Sequence, residues 1–213
     1  SLDMVPYCFI ENDHVTANPT ETMKLEMNAA GGKKSFTREG PGAPGFRGED
    51  VLPALTGRAK KIIAEKAAAK GSPFFIYLPL NSPHTPILPS EKWVGKSGIS
   101  LYADFVMETD DAGLRLVEYI RRDLDNSMVR LIVRTGQPGL APERHVIDHY
   151  DIDDYKDKTE LTATRLYTTV RTALKSYRDL PIPRSILLID AVLTFLADGL
   201  IRNGYRFLTE TVR

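Results

Sequence analysis

Ser72-Pro73-Phe74-Phe75-Ile76-Tyr77-Leu78-Pro79-Leu80-Asn81-Ser82-Pro83-His84-Thr85-Pro86 is the stretch whose reading decides the fold. Its first half is apolar and aromatic, the composition of a buried strand. Its second half is proline-rich and polar, so the strand stops abruptly in a turn. Many α/β proteins present a functional side chain in this way, on a loop at the carboxyl end of a strand. Here that side chain is His84.

Working outward, the flanks predict a helix on each side. Asp50 to Lys70 carries Leu52, Leu55, Ala59, Ile62, Ile63 and Lys66 at helical spacing and stops at Gly71. Tyr102 to Arg122 carries Phe105, Val106, Ala112, Leu116, Val117 and Ile120 on one side. Met128 to Val133 reads as a second strand. Helix, strand, helix, strand is the alternation of a parallel α/β sheet. Residues 28–48 are rich in glycine and proline and read as a long surface loop. They follow no strand and match no phosphate-binding loop.

The texture changes after Gln137-Pro138-Gly139. Residues 143–158 are polar. Thr159 to Arg178 reads as an amphipathic helix with Leu161, Leu166, Val170, Ala173, Leu174 and Tyr177 on one face. Arg184 to Asn203 is apolar on all sides and reads as a buried helix, packed in this chain or against a second copy. Two units are therefore expected, an α/β unit over 1–136 and a mainly helical unit over 143–213.

The chain has 213 residues, with 28 basic and 28 acidic side chains. This balance points to neither nucleic acid nor an anionic membrane as a partner. One cysteine, Cys8, excludes an intrachain disulfide and a multi-cysteine zinc site. Its apolar setting in Tyr7-Cys8-Phe9-Ile10 is that of a small buried hydrophobe rather than a nucleophile. The first residues lack a basic start and an apolar run, so no signal peptide is expected in this chain. The apolar stretch Ile186 to Ile201 is interrupted by Asp190 and Asp198 and falls short of the roughly 20 residues needed to span a bilayer. A soluble protein of open compartment is expected.

Several segments together resemble the sulfatase family, of the bacterial arylsulfatase and N-acetylgalactosamine-6-sulfatase type, over about residues 1–120. They include Phe9-Ile10-Glu11-Asn12-Asp13, Arg38-Glu39-Gly40-Pro41, Asp50-Val51-Leu52-Pro53, the Pro73 to Pro86 stretch, and Tyr102-Ala103-Asp104-Phe105-Val106-Met107. The resemblance implies a partial alkaline-phosphatase-like α/β sheet with flanking helices, followed by the helical unit. It implies a sulfate-ester substrate and a calcium ion held by acidic residues. It implies that His84 faces the sulfate and serves catalysis, a role suited to a side chain that titrates near neutrality.

The pattern departs from the family in its nucleophile and its metal ligands. Cys8 is not in the Cys/Ser-x-Pro/Ala-x-Arg motif. Where acidic and amide ligands should end the second strand, Arg134 and Thr135 stand instead. The resemblance therefore implies a sulfatase-family hydrolase, incomplete and inactive alone. The alternative is a non-catalytic assembly or binding protein that uses the C-terminal helices, with homo-oligomerisation through helix 184–203.

A further cluster lies in Glu143 to Asp154. His145 and His149 are four apart and would share a helical face with Asp148, a candidate site for zinc or another divalent metal. The competing reading is a solvated acidic run in which Asp153 or Asp154 caps the next helix.

Overall fold

The computed structural model describes residues 2, 4–28, 34–69, 74–135, 147, 149–157, 162–175 and 186–190. Their contacts group into two units. One holds Ser1–Ala54 with Asn81–Glu108, and the other holds Leu55–Leu80 with Thr109–Arg213. This division does not follow a boundary between residues 136 and 143.

The first unit is built from short antiparallel pairs. β1 (Ile10–Glu11) pairs with β2 (His14–Val15). β3 (Glu21–Met23) pairs with β6 (Gly40–Gly42), and β4 (Glu26–Asn28) pairs with β5 (Lys34–Phe36). The expectation of an unbroken loop over 28–48 is corrected here. The turn-forming glycines and prolines do not prevent three-residue strands from pairing at an edge, where the ladder makes few demands on side chains.

Tyr7 anchors this unit. Its ring is buried, and its backbone exchanges hydrogen bonds with Pro41 and Ala43 at 2.8 Å each. Its hydroxyl reaches Thr37 Oγ1 at 2.8 Å and the Arg38 carbonyl. A 3-10 turn, Gly48–Asp50, leads into α1 (Val51–Ala68). Gly48 is closely packed: a Cβ there would lie 2.5 Å from Leu88 Cδ1 and 3.0 Å from Leu25 Cδ1, so those side chains would have to shift.

The second unit holds a parallel four-stranded sheet. Its strands are β7 (Phe75–Pro79), β8 (Arg130–Thr135), β9 (Asp154–Asp157) and β10 (Ile186–Asp190), in the order β7-β10-β8-β9. β10 lies between β7 and β8 and pairs with both, Leu188 standing opposite Tyr77 on one side and Ile132 on the other.

The expected helix over Arg184 to Asn203 is thereby corrected: Ile186–Asp190 is a central strand, and residues 191–213 lie outside the described residues. The physical reason is that a strand covered on both faces and a helix buried on all sides share one signature, a run of large apolar residues. The mainly helical C-terminal unit is corrected with it, since β9 and β10 both fall in that half.

α2 (Leu101–Glu118) begins where Ser100 Oγ accepts the Ala103 N–H at 3.2 Å, and it ends in a π-helical turn, Tyr119–Asp123. Residues of α1, the end of α2, β7 and β8 supply the core of this unit: Ala59, Ile63, Leu78, Leu116, Val117, Ile120, Leu131 and Val133. α3 (Ala163–Lys175) falls within the expected Thr159 to Arg178, whose residues 159–161 and 176–178 lie outside the described residues. Thr162 Oγ1 accepts the Arg165 N–H at 3.3 Å at its start. Its Leu166, Val170 and Ala173 pack against Ile132 of β8. Among the described residues, no helix is long and apolar enough to cross a membrane.

Candidate functional site

His84 sits beyond the carboxyl end of β7, as the sequence suggests. Pro83 and Pro86 are buried while His84 and Thr85 between them are exposed, so the imidazole is carried on a two-residue tip. Its Nδ1 lies 2.6 Å from the Thr85 carbonyl, the geometry of an N–H donated to its own neighbour. Just before it, Ser82 Oγ and Asn81 Oδ1 are buried and have no hydrogen-bond partner among the described residues. No carboxylate or basic side chain is found hydrogen-bonded to His84 among the described residues.

Of the three metal candidates, His149 alone lies among the described residues. His145 and Asp148 lie outside the described residues. His149 is exposed, with its ring edge-on to Tyr150 at 4.8 Å. Among the described residues no group of three or more His, Cys, Asp and Glu side chains could hold a metal ion. Cys8 is half-buried with its Sγ 3.9 Å from the Pro6 carbonyl.

Asp153 has a different role from the helix cap weighed in the sequence. It accepts the Leu131 N–H at 2.8 Å and pairs with Arg121 at 3.0 Å and with Arg130. Arg121, whose side chain is only 9% exposed, also donates to the carbonyls of Asn126, Val129 and Asp151 at 2.8, 2.9 and 2.8 Å. One guanidinium thus ties the turn after α2 to the segments that begin β8 and β9. Sequence reading missed this because the two ends of the clip are 32 positions apart. An arginine in a π-helical turn gives no periodic signal.

Two further carboxylates stand out. Asp104 accepts the N–H groups of Gly95 and Ser97 at 2.8 and 2.7 Å. Burial raises its pKa, but these bonds together with the Ser97 side chain outweigh that and hold it below the ordinary value. Asp110 is 5% exposed, and neither of its oxygens has a hydrogen-bond partner among the described residues. Burial pushes it up to about 8.

On α3, the face turned away from Ile132 is exposed. Tyr167 is 60% exposed, and the Arg171 guanidinium lies 5.7 Å from its ring centre while donating to its hydroxyl.

Comparison with known proteins gives two relatives. Over 86 residues the chain is 57% identical to a 3'3'-cGAMP-specific phosphodiesterase 2 of Vibrio cholerae, covering 40% of this chain and 16% of that protein. Over 139 residues it is 24% identical to an N-acetylgalactosamine-6-O-sulfatase of Bacteroides thetaiotaomicron, covering 52% of this chain and 27% of that protein. The chain therefore spans less than a third of either relative. No family model and no solved structure matches it.

The stronger match overturns the sulfatase expectation. Identity to the phosphodiesterase is more than twice that to the sulfatase. The sulfatase activity and the calcium drawn from that resemblance are corrected accordingly.

Proposed function

We propose that this chain serves in the hydrolysis of a cyclic dinucleotide, with 3'3'-cGAMP the first substrate to test. The observation that carries this reading is the 57% identity over 86 residues to a phosphodiesterase specific for that compound. In such a reaction water attacks one phosphorus and an ester oxygen of the ring departs with a proton, leaving a linear dinucleotide. The matched stretch covers 16% of that relative, so the reading concerns participation in the activity. It assigns no attacking or leaving-group residue.

Exchange of the matched stretch tests it. The segment of this chain replaces its counterpart in the Vibrio cholerae protein, and conversion of 3'3'-cGAMP to the linear product is followed by chromatography. Hydrolysis within about tenfold of the parent, a change of about 1.4 kcal/mol in barrier, is expected. A folded exchange protein without hydrolysis would show that the likeness is one of scaffold only. The chain by itself, assayed with and without divalent cations, shows whether it also turns over.

A further inference from the structure

We propose that the outer face of α3, built on Tyr167, Arg171 and Lys175, is a contact surface for the anionic cyclic dinucleotide. The inference rests on the function proposed above and extends it to a place on the molecule.

The charge pattern of α3 differs from that of α2 and the turn after it. In α2, Arg115 is held by Asp111 four residues earlier at 2.6 Å. In the turn that follows, Arg122 is held by Glu118 at 3.3 Å, also four residues earlier. α3 contains no acidic residue at all among Ala163–Lys175. The position four before Arg171 is Tyr167, and the position four before Lys175 is Arg171 itself. Two like charges one turn apart repel, and nothing on the helix neutralises them. Arg165 has a contact of its own and is not needed for the argument.

Thr164, Tyr167, Thr168, Arg171 and Lys175 follow one another at helical spacing, and all are exposed. From Tyr167 to Lys175 this ridge is about 12 Å long at the ordinary helical rise. The opposite side of the helix is occupied by its packing on Ile132, which fixes the ridge outward.

The chemistry of the ridge suits the ligand. A cyclic dinucleotide offers two phosphodiester anions and two flat bases. An exposed aromatic ring with a guanidinium over it stacks on a base face, and a neighbouring ammonium attracts a phosphate. The hydroxyls of Thr164 and Thr168 add neutral hydrogen-bonding groups. A phosphate between Arg171 and Lys175 would also remove their mutual repulsion.

Titration of the whole protein with fluorescent 3'3'-cGAMP at low and high salt tests the surface. Expected is binding that weakens about tenfold or more at low salt in Arg171→Glu/Lys175→Glu, with a smaller loss at high salt where the attraction is already screened. Tyr167→Ala, which keeps both charges, should weaken binding about fivefold or more, the effect of losing one stacked base. Unchanged far-ultraviolet dichroism shows that the variants keep their fold.

Binding equal to wild type in both variants overturns the proposal. So does equal affinity for tripolyphosphate, which would make the ridge a general anion surface. Absence of binding by the wild type overturns it too. Because the exchange experiment reads hydrolysis separately, the dinucleotide function can survive any of these results.

Discussion

Asp110 and Asp104 are carboxylates on one helix with opposite effects on stability. Asp110 is buried, with no hydrogen-bond partner among the described residues, and burial pushes it up to about 8 from an ordinary 3.8. Between those values the unfolded chain releases a proton that the folded chain retains. The neutral carboxyl's contribution is therefore complete below 3.8. It falls by about 1.4 kcal/mol per pH unit until about 8. Asp110→Asn keeps the shape without the ionisation, so it should stabilise the protein, and by more at pH 7.5 than at pH 4.5. Urea unfolding at the two values checks this, and an equal shift at both would contradict it. Asp104, held below its ordinary value, contributes stability that is present above that value and is lost as pH falls through its lowered one. Asp104→Ala should cost about 1–3 kcal/mol, because the N–H groups of Gly95 and Ser97 lose their acceptor. The cost should shrink at low pH. His84 was legible in the sequence as a loop residue beyond a strand. The burial of Asp110 was not legible, because burial of one carboxylate depends on what packs over it.

At the level of elements, Arg121 links three segments through carbonyl and carboxylate contacts. Arg121→Ala should destabilise by about 1–3 kcal/mol, since the carbonyls of Asn126, Val129 and Asp151 lose their charged donor while Asp153 keeps Arg130. Arg121→Lys should recover only part of that, because an ammonium cannot donate in four directions at once. Equilibrium unfolding of the two variants measures both effects, and equal stability of wild type and Arg121→Ala would remove the clip from the account. Ile132→Ala should loosen α3 selectively, because Ile132 is the buried residue that α3 packs on. Faster amide exchange in α3 than in α1 is the expected sign. The helices α1 and α2 were readable within a few residues, because each shows one apolar face at helical period. β7 and β8 were readable within two residues at each end. β10 was misread because its first four residues are all apolar and carry no period.

On the scale of the whole molecule, the second unit depends on a strand contributed from late in the chain. β10 pairs with both β7 and β8, so Leu188→Pro removes a backbone donor and distorts both ladders. A loss of about 3 kcal/mol or more is expected, read as a lowered midpoint with a broader transition. A sharp, unshifted transition would mean that the sheet is stable without β10. What the sequence determined by itself was local: the periodic helices, the strand that ends before His84, and the balanced charge. These follow from residue type and spacing, which act over a few positions. The tertiary structure decided which apolar run became the central strand and that Asp153 serves Arg121 rather than a helix cap. Each of those depends on residues far apart in the chain meeting in space, and no local pattern encodes such a meeting.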